Sequence, residues 1–323
     1  MKKIVLTGGG TAGHVTPHLA LIPKLQADGW EIHYIGTADG MEHELIKALP
    51  NVTYHSVPSG KLRRYFDWKN FTDPFKVIAG ACKASHLIGK IKPNVVFSKG
   101  GFVSVPVVYG GWMHGVPVIL HESDITPGLA NRITAPLARK VCTTFPEAAA
   151  AMGEKGVHTG TPLRPALFQG DRNRGLRTAG FTGKKPLLLM MGGSPGAVFV
   201  NTALRNALPT LLATFDVAHI CGKGNLNETL LHTPGYKQFE YVDAELPDLL
   251  AATDLMLSRA GANALCEILA LRIPALLIPY PLSASRGDQL LNAQSFAQRG
   301  FSRVLEQEKL TPETLVTELH ALY

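Results

Sequence analysis

His14 closes the run Gly8-Gly9-Gly10-Thr11-Ala12-Gly13-His14, which follows a short apolar stretch from Lys3 to Thr7. An imidazole with a near-neutral pKa in such a turn can take a proton or hydrogen-bond a phosphate. It can equally be a helix-start histidine that bonds local backbone, and the residues alone leave both readings open. A second group lies in SRAGANALCEILA, residues 258–270. Gly261 lets the backbone approach a ligand closely, and the helix that should follow it favours negative groups such as phosphates. Glu267 falls in the next turns of that helix, where a carboxylate can accept two hydrogen bonds from a vicinal diol such as that of a ribose. Taken alone, a helical Glu is an ordinary solvated side chain. Together with Gly261 and the polar loop ending in Arg286, Asp288, Gln289 and Asn292, it points to a nucleotide-sugar site.

Further glycine turns repeat the pattern. Lys99-Gly100-Gly101-Phe102 and Gly192-Gly193-Ser194-Pro195-Gly196 each follow an apolar run, and His121-Glu122-Ser123-Asp124 ends another. Glu122 and Asp124 can also serve as helix-capping acids, Asp124 above all. None of the turns is a Walker A loop, because the terminal Gly-Lys-Ser/Thr is missing. No acidic residue ends the strand Glu31 to Gly36, so the first turn is not a nicotinamide fingerprint. No Asp-x-Asp sequence is present to hold a metal-bound nucleotide sugar, and no nucleic-acid recognition motif is found.

The elements that must position these residues follow from the apolar pattern. Strands are expected at Lys3 to Thr7, Glu31 to Gly36, Pro93 to Ser98, Val116 to His121 and Val141 to Thr144. Helices are expected from about Pro17 to Gly29 and over Val107 to His114. The grammar restarts with strands at Leu187 to Met190, Val217 to Cys221, Phe239 to Val242, Leu255 to Leu257 and Ala275 to Pro279. Helices should lie over Phe199 to Leu212, Leu246 to Thr253 and Ala262 to Leu271. Alternating β and α segments in two consecutive halves predict an α/β protein of two doubly wound, Rossmann-like domains facing each other across a cleft. The stiff connector Gly160-Thr161-Pro162-Leu163-Arg164-Pro165 divides them into 1–160 and 161–323. Arg164 in that connector can reach a phosphate or nucleobase, or remain an exposed linker residue.

Composition bounds the setting. The 323 residues carry a formal net charge of +7, which implies anionic partners. Four dispersed cysteines, Cys82, Cys142, Cys221 and Cys266, read as reduced and mostly buried thiols of a cytoplasmic protein. No signal peptide follows Met1-Lys2-Lys3. Phe102 to Leu120 lacks charge but is divided by prolines and glycines, short of the roughly 20 continuous residues a bilayer span needs. Lys69, Lys76, Lys83 and Lys90 recur every seven residues with Phe71, Phe75, Ile78 and Leu87 among them, after the basic–aromatic stretch of residues 59–68. On a helix these lysines form one slowly drifting stripe, suited to anionic lipid or simply to water.

With these motifs placed, the ordered set TGGGTAGHVTP, FSKGGFVSVPV, LHESDITPGLAN, GTPLR, MGGSPGA, SRAGANALCEILA and RGDQLLNA closely resembles the MurG family of peptidoglycan glycosyltransferases, over nearly the whole chain. The resemblance implies a GT-B fold. It also implies inverting transfer of N-acetylglucosamine from UDP-GlcNAc to lipid I, the undecaprenyl-pyrophosphate-linked N-acetylmuramyl-pentapeptide, giving lipid II. By the same resemblance His14 activates the acceptor hydroxyl. UDP-GlcNAc is contacted by Thr11, Ala12, Gly13, Arg164, Gly193, Ser194, Val242, Asn263, Ala264, Glu267 and Gln289. Gly100, Gly101, Phe102 and Asp124 lie on the acceptor side. No metal, no cofactor and no nucleic acid are implied, and the enzyme would sit peripherally on the cytoplasmic face of the cell membrane. The chain departs from the family at Phe102, usually Tyr, at Asp124, usually Asn, and at Asp288, often Gln; Ala12 and Asn263 are variant positions. Family members usually continue into a further helix beyond the position of Tyr323. Rival expectations are a UDP-GlcNAc 2-epimerase, a transferase using another lipid such as diacylglycerol, and a non-catalytic nucleotide-sugar-binding relative.

Overall fold

The computed structural model describes residues 1–58, 69–192, 197–283 and 287–323, without the side chains of residues 12 and 69–77. The chain divides into two compact units, Met1–Arg164 and Pro165–Tyr323. The first unit runs β1 (Lys3–Thr7), α1 (Ala12–Ala27), β2 (Glu31–Gly36), α2 (Met41–Lys47), β3 (Val52–Ser56), α3 (Lys69–Ile91), β4 (Val95–Ser98), α4 (Ser104–Met113), β5 (Val118–Glu122), α5 (Leu129–Thr134), β6 (Lys140–Thr143), α6 (Pro146–Ala151) and β7 (Gly156–His158). The second runs α7 (Arg172–Ala179), β8 (Leu187–Met191), α8 (Val198–Thr214), β9 (Asp216–Ile220), β10 (Tyr236–Phe239), α9 (Leu246–Ala252), β11 (Leu255–Ser258), α10 (Ala262–Leu271), β12 (Ala275–Leu277), α11 (Asp288–Gln298), β13 (Arg303–Val304) and α12 (Pro312–Leu322).

Among the described residues each unit holds one sheet, and every strand pairing in both is parallel. Apolar runs without alternation dictate this, because a parallel sheet is covered by helices on both faces. Successive residues of β1 show it. Ile4 and Leu6 pack with Val15, Ile22 and Ile46 of α1 and α2, while Val5 packs on the other face with Ala84, Ile88 and Val107 of α3 and α4. In the second unit Leu188, Met190, Leu255 and Leu257 meet Leu204, Leu211, Leu315 and Leu319 of α8 and α12.

The strand orders are β3-β2-β1-β4-β5-β6-β7 and β10-β9-β8-β11-β12-β13. In each sheet the order reverses at one place, between β1 and β4 and between β8 and β11. Connections leave such a switch point to opposite sides and open a crevice at the strand C-termini. The glycine turns singled out from sequence follow these four strands.

Several boundaries differ from expectation. The helix after the first glycine turn starts at Ala12 rather than Pro17, so His14 lies inside its first turn. The strand expected at 239–242 ends at Phe239, because Tyr236–Phe239 is the stretch in register with Val217–Ile220. Of the four cysteines, all free, only Cys221 is buried and Cys82 is exposed. Among the described residues no helix is long and apolar enough to cross a membrane, so Phe102 to Leu120 is a helix and a strand. The basic–aromatic stretch 59–68 lies outside the described residues.

Candidate active site

At the first switch point the loops after β1 and β4 touch through glycine. Gly101 has φ +86°, and a Cβ there would sit 2.3 Å from the Gly9 carbonyl oxygen. Only glycine supplies both the left-handed backbone and the approach. Thr11 caps α1 with extended backbone, yet its side chain makes no capping bond. Its Oγ1 lies 3.0 Å from His14 Nδ1. The Gly9 carbonyl oxygen is also 3.0 Å from Nδ1. A carbonyl can only accept, so Nδ1 carries the proton and Nε2 keeps its lone pair, an assignment made from the hydrogen-bond network. Burial lowers the His14 pKa, the Gly9 bond opposes that, Lys99 reinforces it, and Asp124 and Glu42 oppose it. The structure thus shows the helix-start histidine bonded to local backbone, and that bond leaves Nε2 as the nitrogen with the free lone pair.

A buried network supports this edge. Lys99 Nζ lies 2.7 Å from His121 Nδ1 and donates to Ser123 Oγ at 2.7 Å, and His121 Nε2 lies 2.8 Å from the Gly160 carbonyl oxygen. Burial and the neighbouring Lys99 push the His121 pKa down to about 3, so its ring is neutral. Its Nε2 then donates to Gly160 and its Nδ1 accepts from Lys99. Glu122 accepts from the amides of Ser123, Asp124 and Gly128 and from Asn131 Nδ2, at 2.8–3.1 Å. It is the anchor of this loop. Asp124 is not the cap of α5; Gly128 occupies that position without a side-chain bond. Asp124 is half-buried, and its charge raises the His14 pKa. Gly100 packs on Asn131, and Phe102 is 39% exposed. The structure thus gathers Thr11, Gly13, His14, Gly100, Gly101, Phe102 and Asp124 at one sheet edge.

At the second switch point β11 runs through Arg259 and Ala260 into Gly261, the extended N-cap of α10. Ala262, Leu265 and Ile268 of this helix are buried, while Asn263, Ala264 and Glu267 are only half-buried. Spacings of three and four place those three on one helix face. Gln289 uses its amide oxygen internally, accepting from the Ala260 and Tyr280 amides at 3.2 and 3.3 Å. It ties the ends of the neighbouring strands, and its Nε2 is 3.9 Å from where a Gly261 Cβ would stand. Arg259 is buried, donates to the carbonyls of Ile278 and Pro279, and stacks on Tyr280 at 4.2 Å. Val242 lies three residues past β10, half-buried. Arg164 ends the first unit, and its buried Nε has no hydrogen-bond partner among the described residues. Gly193, Ser194 and the Ala12 side chain lie outside the described residues.

Two residues of this site went unassigned in the sequence. Lys99 stood in a recognised glycine motif, and Glu42 in the turn from Gly36 to Glu42. Glu42 is fully buried and accepts from Thr37 Oγ1, the Thr37 amide and the Gly10 amide at 2.6, 3.1 and 3.2 Å. Burial alone would raise its pKa, but these hydrogen bonds prevail and hold it below the usual carboxylate range. Glycines at 36 and 40 beside a single Glu were the available signal.

Two doubly wound parallel sheets, each with glycine-lined loops at its switch point, define the GT-B fold. The glycosyltransferase family 28 N-terminal domain matches residues 4–143, and the family 28 C-terminal domain matches residues 187–323. The chain belongs to glycosyltransferase family 28. It is 57% identical, over 100% of its length and 91% of the relative's, to the UDP-N-acetylglucosamine–N-acetylmuramyl-(pentapeptide) pyrophosphoryl-undecaprenol N-acetylglucosamine transferase of Geobacillus thermodenitrificans. It is equally 57% identical, over the same shares, to the transferase of that name from Clostridium kluyveri. The crystal structure of Acinetobacter baumannii MurG superposes with a TM-score of 0.78 at 25% identity, covering 100% of this chain and 91% of that one.

Proposed function

We propose that this chain transfers N-acetylglucosamine from UDP-GlcNAc to lipid I, giving lipid II, with inversion at the anomeric carbon. The observation that carries the reading is His14, tethered at Nδ1 by a backbone carbonyl and basic at Nε2, in a chain alike along its whole length to transferases named for that reaction. Nε2 takes the proton of the acceptor hydroxyl. The acceptor oxygen then bonds to the anomeric carbon as the bond to UDP breaks on the opposite face. The leaving diphosphate draws on backbone amides at the α10 N-terminus, with Asn263 and Ala264, and on Gly193 and Ser194. Glu267 holds the ribose hydroxyls, and Arg164, Val242 and Gln289 serve the uracil and sugar. Thr11, Ala12 and Gly13 face the transferred sugar. Gly100, Gly101, Phe102 and Asp124 face the acceptor. In domain terms, the unit before the 160–165 connector takes the lipid and the unit after it holds the nucleotide sugar.

The same proposal places the enzyme peripherally on the cytoplasmic face of the membrane. Ile78 of α3 and Trp112 and Met113 of α4 are 61%, 54% and 67% exposed, with Lys83 and Lys90 exposed on α3. Apolar side chains among lysines suit an anionic lipid surface.

Transfer of radiolabel from UDP-GlcNAc to a soluble-tailed lipid I analogue, without added divalent metal, tests the reaction. Label in the lipid product is the expected result. UDP-GlcNAc turnover without lipid would favour an epimerase, label accepted only by diacylglycerol another lipid transferase, and binding without turnover a non-catalytic relative.

A further inference from the structure

We infer that Glu42 is a positioning residue for the base, its carboxylate acting on His14 through the Gly9–Gly10 peptide group. This rests on His14 being the base. The carboxylate is fully buried and walled by glycine: a Cβ on Gly9 would lie 2.5 Å from Cδ, and one on Gly40 would lie 2.4 Å from Oε1. Its two oxygens do different work. Oε1 accepts from the amide and hydroxyl of Thr37, fastening the turn that leads into α2. Oε2 leaves that element and accepts from the Gly10 amide across the first glycine turn, at 3.2 Å.

Gly10 N–H and Gly9 C=O belong to one peptide plane. No cis peptide bond is present among the described residues, so the two groups point in opposite directions. One end of this plane meets Glu42, and the other meets His14 Nδ1 at 3.0 Å. A carboxylate pulling on the N–H polarises the amide and strengthens its carbonyl as an acceptor, because hydrogen bonds in series reinforce one another. The Gly9 oxygen therefore fixes the ring and its tautomer more firmly. It also stabilises the imidazolium that forms when Nε2 takes the acceptor proton. A carboxylate orients a histidine base in the same sense when it bonds the ring directly; here a peptide group stands between them. Four other features bear on the ring: Lys99 disfavours the cation, Asp124 favours it, His18 lies close by, and Thr11 Oγ1 shares the Nδ1 proton.

Glu42→Gln keeps the shape but removes the charge. A carboxamide cannot accept from both Thr37 and Gly10, because one side of it is a donor. We expect E42Q to lower kcat about 10- to 100-fold with both KM values little changed, the same order as losing the outer hydrogen-bond partner that orients a metal-bound side chain. The acidic limb of its pH–rate profile should move to lower pH, since a charge favouring the imidazolium is gone. The substitution should add nothing in a His14→Ala background. A limb that stays at the wild-type pH, or an undiminished loss on top of H14A, would overturn the inference and leave Glu42 a purely structural acid. Near-normal turnover by H14A alone would instead remove the base assignment, and this inference with it. If E42Q does not fold, Glu42→Asp is read instead. The shortened carboxylate keeps its charge near Thr37 but falls short of Gly10, so its limb also moves down, and an unmoved limb refutes the relay.

Discussion

Gly101→Ala separates the cost of backbone strain from the cost of disturbing His14, the proposed base. Gly101 has φ +86°, and its added Cβ would lie 2.3 Å from the Gly9 oxygen. An L-residue in left-handed backbone costs about 1–2 kcal/mol. Relieving the contact requires the Gly9 carbonyl and the Gly101 backbone to part by about 1 Å, to an ordinary carbon–oxygen separation. That carbonyl is the one that holds His14 Nδ1 at 3.0 Å. A misplacement of about 1 Å in a reacting group can cost about 10²-fold in rate. Gly115→Ala is the matched control: Gly115 has φ +67° in the turn after α4, with nothing within 4 Å of an added Cβ. Urea unfolding of both variants, read with steady-state transfer of labelled N-acetylglucosamine, distinguishes the two effects. G115A should lose about 1–2 kcal/mol of stability with turnover intact. G101A should lose at least as much stability and about 10²-fold in kcat. If G101A kept its kcat within about threefold of G115A's, the Gly9 carbonyl would not be what positions His14.

Glu267→Ala should weaken UDP-GlcNAc binding by about 1.5–3 kcal/mol, roughly 10- to 150-fold by calorimetry, if a charged acceptor is lost; unchanged affinity would remove Glu267 from the ribose role. His121 and His219 are both held near pKa 3 by burial, beside Lys99 and Arg205 respectively. The unfolded chain protonates them near 6.5, so the stability of their neutral forms is complete above that pH and lost as pH falls from 6.5 toward 3, at about 1.4 kcal/mol per pH unit each. A urea midpoint that stays level between pH 6.5 and 5 would contradict this. Trp112→Ser should reduce sedimentation with anionic phosphatidylglycerol vesicles while leaving turnover on the soluble-tailed acceptor within about twofold, since side-chain burial in lipid is worth about 25 cal/mol per Å²; unchanged vesicle binding would move the membrane face elsewhere.

The elements around the candidate site are partly legible before any folding is considered. β11 and α10 fall at Leu255–Ser258 and Ala262–Leu271, within a residue of their sequence expectation. There an apolar run, a glycine and a periodic helix agree with one another. Sequence alone predicts β10 late, at 239–242, because Tyr236 and Gln238 look no more strand-like than the residues beyond them. Pairing with β9 and the hydrogen bond from Tyr236 to His219 select the earlier register. The expectation of mostly buried cysteines fails at Cys82, which is exposed, because a helical position does not say which face meets the core.

Two alternating α/β units, the glycine turns at their strand C-termini, and residue types able to take a proton or hold a diol can all be read from the chain itself. Period, turn chemistry and motif order are local properties, and they are written in neighbouring residues. What those residues do to one another is set by the tertiary fold. It made Glu122 the anchor of its loop, and it turned the Gln289 oxygen inward to tie Ala260 to Tyr280. It also joined Glu42 to His14 through one peptide plane, across 28 positions of chain. Hydrogen bonds between segments distant in sequence depend on strand order, and strand order is fixed only when both faces of the sheet are covered.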